Sequence, residues 1–260
     1  MKIIRLLTYV VGSMFLFGTV MGKFYPSNDI NGDYIVRGNY DPILSELSDI
    51  VAFENYLSKE VNRLKLNEND TSNMVFMMDS LLQMRFYHGT ARYNLADNWL
   101  AYYMGHFLWD DFRMMVVPDQ ILNKKVAACN QISIVFHTLL KRHQIDFRPV
   151  GLNNHMVTEV KFNGKWHIFD PDYEPKLDHQ MNVENLLENR SQFKLIYQET
   201  NGRLFNKSFD KILSTKSALY YEKNVLIGMN LRVFQQLTSF LSKYCWLLFV
   251  ITGIILHLRK

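Results

Sequence analysis

The sequence HMVTEVKFNGKWHIFDP, residues 155–171, decides the fold of this chain. Its two runs, residues 155–162 and 165–170, are rich in β-branched and aromatic residues. Asn163-Gly164 separates them, and Asn-Gly is the dipeptide most typical of a two-residue type I′ turn. Pro171 cannot donate a hydrogen bond to a neighbouring strand, so the second run ends there. This stretch therefore predicts an antiparallel β-hairpin.

The turn also fixes which residues of the hairpin face each other. With a two-residue loop, Val157 faces Asp170, and His155 lies two residues further along on the same face of the strand. Diagonal neighbours in an antiparallel pair lie roughly 7–8 Å apart, a gap that two polar side chains can bridge. The register therefore allows a hydrogen bond between His155 and Asp170. The alternative is an ordinary surface hairpin in which both side chains are solvated.

A helix and a further strand are predicted before the hairpin. Residues 147–152 (FRPVGL) are typical of a strand that enters a turn. The helix is predicted to begin at Cys129 and to end near His143, because apolar residues recur there at helical spacing, at Ile132, Val135, Phe136, Leu139 and Leu140. Cys245 lies in an apolar C-terminal run, so Cys129 is the one cysteine of the soluble part. Simple burial is the ordinary explanation for such a residue.

The order of these motifs resembles the transglutaminase-like superfamily of cysteine enzymes. The matching pieces are AACNQ (127–131), FRPVG (147–151), HMVTEV (155–160) and GKWHIFDP (164–171). They cover about a fifth of the chain, with 26 residues from Cys129 to His155 and 15 from His155 to Asp170. The resemblance implies an α+β, papain-like core, in which a helix bearing the Cys packs on an antiparallel sheet bearing the His and Asp. The chain departs from the family around these residues, because many members have Gly or an aromatic residue beside the Cys and Ala-Trp after the His.

The resemblance also implies a catalytic triad of Cys129, His155 and Asp170. A thiolate is a strong nucleophile near neutral pH, and both a helix N-terminus and an adjacent imidazolium favour that form. The carboxylate would hold the orientation and tautomer of the imidazole. The backbone N–H of Cys129 would donate to the oxyanion, with Gln120 and Asn123 as candidates for a second donor.

Asp172 competes with Asp170 for the role of orienting carboxylate. It would face His155 directly if the hairpin ladder continued beyond Pro171. Because a proline ends regular pairing, we expect Asp172 to be a turn residue with a solvated side chain.

Several classes of site and partner are not expected. The chain has no His-Glu-x-x-His pattern and no cluster of Cys and His in sequence, so no metal site and no cofactor are predicted. The net charge of +4 is mild, with no basic stripe suited to nucleic acid. With 48% hydrophobic and 21% charged residues, the composition excludes a largely disordered chain.

Both ends of the chain are apolar and carry basic residues outside the apolar run. Residues 6–22 follow Lys2 and Arg5, as in a secretory signal or an uncleaved anchor. Residues 240–258 precede Arg259-Lys260 and approach the length of a membrane span. The positive-inside rule places both termini in the cytoplasm and residues 24–239 outside it.

The predicted division of the chain follows from these features. Residues 1–23 are a signal peptide or N-terminal anchor, and residues 24–115 are a mainly helical part, with helices expected within 44–66, 73–86 and 98–107. Residues 116–239 are the transglutaminase-like core with a helical extension, and residues 240–260 are a transmembrane helix with a basic tail.

The function predicted from the sequence is that of a membrane-anchored, extracytoplasmic cysteine enzyme. It would attack an amide or peptide carbonyl through a thioester on Cys129, as a hydrolase or an acyltransferase, with a peptide, protein or other amide as its substrate. A cysteine protease acting on a partner in the same membrane is a related possibility. The rival class is a non-catalytic binding or assembly module that keeps the fold.

The apolar ends predict a membrane-bound chain. The protein should remain with membranes after a carbonate wash, and protease added to the outer face should digest residues 24–239. Release of the full-length chain by salt alone would show that neither end spans the bilayer. A mature chain that begins at Lys23 would show that the C-terminal anchor alone remains.

Overall fold

The computed structural model describes residues 2–24, 39–67, 70–173, 181–198 and 211–258. These residues form an α+β structure. The chain divides into two compact units. The first contains the described residues of 1–31, 92–117 and 229–260, and the second contains those of 32–91 and 118–228.

Helices and strands are labelled separately in chain order. The helices are α1 (Lys2–Phe24), α2 (Ile50–Arg63), α3 (Thr71–Arg85), α4 (Leu95–Phe107), α5 (Pro118–Leu122), α6 (Cys129–Arg142), α7 (Val183–Glu188), α8 (Arg190–Gln198) and α9 (Met229–Leu258). The strands are β1 (Tyr87–His88), β2 (Val126–Ala127), β3 (Phe147–Leu152), β4 (His155–Phe162), β5 (Lys165–Phe169) and β6 (Leu219–Tyr220).

The second unit is built on a four-stranded antiparallel sheet of order β5-β4-β3-β6. The predicted hairpin is confirmed, since Phe162 pairs with Lys165 and both turn residues have positive φ, 49° at Asn163 and 76° at Gly164. A second tight turn, Asn153-Asn154, joins β3 to β4 with φ of 43° and 74°. Asparagine tolerates this left-handed conformation better than most residues, and the turn makes His155 the first residue of β4.

Helix α6 packs against β3 and β4. It begins at Cys129 and ends at Arg142, as its apolar pattern predicts, and the residues of its predicted stripe are buried. A histidine also lies on the buried side of α6. The ring of His137 stacks on Phe147 at 4.7 Å between centroids, and its Nε2 lies 2.8 Å from Thr158 Oγ1. Burial lowers the pKa of His137 to about 3, so the ring is neutral at physiological pH.

The helices before the core differ in their bounds from the sequence prediction. The region predicted as one helix over 44–66 is a 3₁₀ turn, Leu44–Glu46, followed by α2. The break has a local cause, because the Asp49 side chain accepts a hydrogen bond from the N–H of Ala52 and starts a new helix. Asp70 caps α3 in the same way, so that α3 begins at Thr71 rather than at residue 73, and α4 begins at Leu95 rather than at residue 98.

The first unit contains α1, α4 and α9, which pack against one another. Helix α9 has 30 residues and is long and apolar enough to cross a membrane. It begins at Met229 and not at residue 240, because residues 229–239 continue the helix with polar side chains that find partners inside the unit. Asn98 Nδ2 on α4 donates to Thr238 Oγ1 at 2.9 Å, and Trp99 Nε1 donates to the Ser242 carbonyl at 3.1 Å.

Helices α1 and α9 approach each other closely at glycines. A Cβ placed on Gly12 would lie 2.8 Å from Phe249 Cβ, and one on Gly253 would lie 2.7 Å from the ring of Tyr9. Thr19 Oγ1 also donates to the Ser242 carbonyl at 2.7 Å. Small residues at such crossings and hydrogen bonds between helices are the contacts that hold membrane helices together. Helix α1, whose apolar run is Leu6–Gly22, is therefore packed along α9.

The neutral state of His137 predicts an acid-sensitive core. An unfolded histidine binds a proton near its ordinary pKa of about 6.5, whereas folded His137 stays neutral down to about pH 3. Lowering the pH from 6.5 to 4 therefore favours the unfolded state by about 3 kcal/mol at this residue. His137→Gln should remove this part of the pH dependence.

Urea denaturation between pH 4 and 7 measures the effect. Trp166 serves as the fluorescent reporter, with the other three tryptophans replaced by Phe in both proteins. If the free energy of unfolding depends on pH equally in the protein with His137 and in the His137→Gln variant, a buried neutral ring is contradicted.

Candidate active site

Cys129 is the first residue of α6, and a glutamine fixes the start of that helix. The preceding residue, Ala128, has no side chain able to cap the helix. The side chain of Gln131 takes over this capping role, because its Oε1 accepts hydrogen bonds from the backbone N–H groups of Ala128 (3.1 Å) and Ala91 (2.8 Å). Its Nε2 donates to the Ala91 carbonyl at 2.8 Å. The helix end that carries the thiol is thus tied to the segment after β1.

His155 and Asp170 form the hydrogen bond that the hairpin register allows. Nε2–H of His155 donates to Asp170 Oδ2 at 2.6 Å, and both side chains are buried. Regular pairing of β4 with β5 ends at Thr158 and Phe169, so Asp170 reaches His155 diagonally from beyond the ladder. The alternative of a solvated surface hairpin is wrong for these two residues.

Asp170 is held by three further donors. The Tyr197 hydroxyl donates to Oδ2 at 2.8 Å, and the backbone N–H groups of Asp172 and Tyr173 each donate to Oδ1 at 3.2 Å. Burial, together with the neighbouring Asp170 carboxylate, raises the pKa of Tyr197 well above its usual value. Tyr197 therefore remains a hydroxyl donor at physiological pH, and both oxygens of the carboxylate are fixed in place.

The remaining nitrogen of His155 is available to the thiol. Cys129 Sγ, a ring nitrogen of His155 and a carboxylate oxygen of Asp172 all lie within 4.8 Å of one another. Burial of the ring opposes its charge, but the Asp170 carboxylate and Cys129 together raise the pKa of His155 well above its usual value. The site therefore favours an imidazolium beside the sulfur.

The prediction of a solvated Asp172 is wrong. Its side chain is 2% exposed, and its Oδ1 lies 2.9 Å from Nδ1 of His88. The cause is local, because the hydrogen bonds from residues 172 and 173 to Asp170 turn the chain back after Pro171. The ring of Tyr173 then packs against both imidazoles, at 4.6 Å from His155 and 5.7 Å from His88.

The thiol opens into a cavity of about 750 Å³. Its walls come from the start of α6, the β3–β4 turn and the residues in and around β6. The lining residues are Cys129, Asn130, Gly151, Asn153, Asn154, His155, Met156, Ser214, Thr215, Lys216, Ser217, Leu219 and Tyr221. Asn153 ties two of these walls together, because its Nδ2 donates to Lys211 O at 2.8 Å and to Ser214 Oγ at 3.0 Å.

The two candidates for a second oxyanion donor lie elsewhere. Neither Gln120 nor Asn123 lines the cavity, and the Asn123 amide donates to the Asp119 carbonyl at an exposed position. Asn130 and Asn154 line the cavity beside Cys129 and carry the amide donors such a role needs. The arrangement supplies a half-buried thiol, an imidazole nitrogen within 4.8 Å of it and a fixed carboxylate behind the imidazole, which is the set that nucleophilic catalysis needs.

Comparisons with protein-family models, curated proteins and solved structures give no match to this chain. The geometry of the site is therefore the observation from which a function can be inferred.

Three residues of this site were missed in the sequence: Gln131, Tyr197 and His88. Asp172 was considered there, but its burial was not expected. Gln131 stands at the third position of a helix, where a glutamine commonly caps, so a signal was available. Tyr197 lies 27 residues from Asp170, and His88 lies 84 residues from Asp172. No periodicity connects residues at such distances.

The geometry predicts different consequences for the two carboxylates. Asp170→Asn removes the charge that stabilises the imidazolium and should slow the alkylation of Cys129 by iodoacetamide at pH 6.5 by tenfold or more. Asp172→Asn leaves the Asp170 hydrogen bond to His155 in place, so it should slow the alkylation of Cys129 by tenfold or less. Mass spectrometry of the alkylated peptide measures both rates. If Asp172→Asn slows the alkylation of Cys129 more than Asp170→Asn does, Asp172 and not Asp170 orients the imidazole.

Proposed function

We propose that this chain is a membrane-anchored cysteine enzyme, similar to transglutaminase-like proteins, that acts on an amide or peptide carbonyl. The observation that carries the proposal is the 2.6 Å hydrogen bond from His155 to Asp170 beside a thiol that lines a cavity. A buried histidine with one nitrogen held by a carboxylate and the other facing a cysteine has the geometry of a nucleophile, a base and an orienting group.

Each group of the cluster has a role in the proposed reaction. The Cys129 thiolate attacks the carbonyl carbon, and the negative charge moves to the carbonyl oxygen. The backbone N–H of Cys129 and an amide of Asn130 or Asn154 stabilise that oxyanion. The His155 imidazolium gives its proton to the departing amine, which leaves a thioester on Cys129 and a neutral imidazole.

The second half of the reaction reverses these roles. Neutral His155 takes a proton from water or from an incoming amine, which attacks the thioester carbon and releases the Cys129 thiolate. Water gives hydrolysis and an amine gives acyl transfer. Asp170 keeps Nε2 occupied throughout, so Nδ1 is the nitrogen that exchanges the proton.

The location proposed for the enzyme is a membrane, with residues 240–258 of α9 as its anchor and residues 24–239 on the extracytoplasmic side. Basic residues beyond both apolar ends support this orientation. The close approach of α1 to α9 at Gly12 and Gly253 supports α1 as a second, retained helix rather than a cleaved signal peptide.

The enzyme proposal predicts transient acylation of Cys129. The full chain in detergent is mixed with p-nitrophenyl acetate, and the burst of nitrophenolate and the mass of the intact protein are followed. We expect one acetyl group on Cys129, none after Cys129→Ser, and normal acylation after Cys245→Ser. His155→Gln should slow the loss of the acetyl group by about 10²-fold or more, because general-base assistance to water is lost.

Addition of a primary amine to the acetylated protein then separates a transferase from a hydrolase. Loss of the acetyl group that is equally fast without His155, or no acetylation of Cys129 at all, would contradict the enzyme proposal and favour a non-catalytic module.

A further inference from the structure

We propose that Cys129, His155 and Asp172 together bind a zinc ion, and that this ion holds the enzyme in a blocked state. The inhibitory consequence rests on the proposed function, whereas the binding of the metal rests on the donor groups alone. These three residues lie 26 and 17 positions apart in the chain, so no sequence motif indicates the site. The fold brings them together where α6, the start of β4 and the turn after β5 meet.

The donor set suits zinc. A thiolate, an imidazole nitrogen and a carboxylate oxygen are the three protein ligands that Zn²⁺ commonly takes, at bond lengths of about 2.0–2.3 Å. Tetrahedral ligands at those distances lie roughly 3.3–3.8 Å apart. The three ligand atoms here lie within 4.8 Å of one another, so side-chain movements of about 1 Å close the site. Hard cations such as Mg²⁺ and Ca²⁺ prefer oxygen ligands and match this set poorly.

Two of the three ligands are already oriented by neighbours. Asp170 accepts the Nε2–H of His155, which leaves Nδ1 for a metal, and a carboxylate behind a histidine is the usual outer arrangement at zinc. His88 contacts the Asp172 carboxylate at 2.9 Å, with Tyr173 packed against both imidazoles. A carboxylate ligand is also usually hydrogen-bonded from outside the metal site. The cluster therefore has the second layer of contacts that a zinc site needs.

The fourth position of such an ion would face the cavity. Cys129 and His155 line that cavity, so a water or a small ligand can complete the tetrahedron there. Binding moves to solvent the one proton that the Cys129 sulfur and Nδ1 of His155 share. No electron is transferred. The bound zinc occupies the sulfur lone pair and Nδ1 of His155, so the nucleophile and the base are both unavailable to substrate.

Cobalt is the probe for the site, because Co²⁺ takes the same ligands as zinc and a thiolate–cobalt bond absorbs in the near ultraviolet. The full chain in detergent is titrated with CoCl₂ and then with ZnCl₂ in competition. We expect one thiolate–cobalt band per chain, its loss after Cys129→Ser, and its replacement by zinc. Zinc should also protect Cys129 from iodoacetamide, and a chelator should reverse that protection.

Asp172→Asn separates this site from the triad. It should weaken zinc binding by at least tenfold, because a carboxylate ligand is replaced by a neutral amide. Glu222→Gln is the matched control, since Glu222 is exposed, follows the cavity residue Tyr221 and loses the same charge. We expect its zinc affinity to equal that of the natural chain. His88→Gln, which keeps all three ligands, should cost about 10–100-fold in affinity.

The outcomes distinguish this inference from the proposed function. No thiolate–cobalt band, or zinc affinity unaffected by both Asp172→Asn and His88→Gln, overturns the zinc site while leaving the acylation result intact. A cobalt band in a chain that p-nitrophenyl acetate does not acylate would support the zinc site and contradict the enzyme. Circular dichroism of each variant shows whether the fold is retained, and the His88→Gln result decides if Asp172→Asn fails to fold.

Discussion

The hydrogen bond between His155 Nε2 and Asp170 Oδ2 is the interaction on which the candidate site depends. It joins the first residue of β4 to the residue that follows β5, and it fixes which nitrogen of the imidazole meets Cys129. A buried carboxylate is costly unless its oxygens are satisfied. Tyr197 and the backbone N–H groups of residues 172 and 173 donate to these oxygens here. Helix α8 and the turn after β5 therefore both contact Asp170.

That requirement has a second consequence, which is the burial of Asp172. The turn that supplies backbone donors to Asp170 also brings the next carboxylate into the cluster beside the thiol. Two carboxylates in one buried cluster repel each other when both are ionised, and His88 provides a partner for one of them. The site is thus a thiol between two histidine–aspartate pairs. The first pair fits nucleophilic catalysis, and the second makes the cluster suitable for a metal.

Local signals were enough to predict the centre of the fold. Asn163-Gly164 set the hairpin and its register, and the apolar stripe set the length of α6. Strand geometry allowed the contact between His155 and Asp170 but did not require it. The choice of Asp170 over Asp172 also used Pro171 and the family resemblance. The failures share one physical cause, because partners such as His88 and Asp172 meet only after the chain has folded. The same holds for Asn98, whose polar side chain binds Thr238, 140 residues further along the chain.

The charge state of His155 tests the account most directly. Nitrogen NMR of the full chain with ¹⁵N-labelled histidine, assigned through His155→Gln and titrated from pH 5 to 10, reports how many ring nitrogens carry a proton. We expect His155 to be still doubly protonated at pH 7.5, because Asp170 and Cys129 raise its pKa, while His137 is neutral in the same spectrum. Replacing Cys129 by Ser should lower the pH at which His155 titrates. A neutral His155 ring at pH 7 in the natural chain would contradict a charged imidazole beside Cys129.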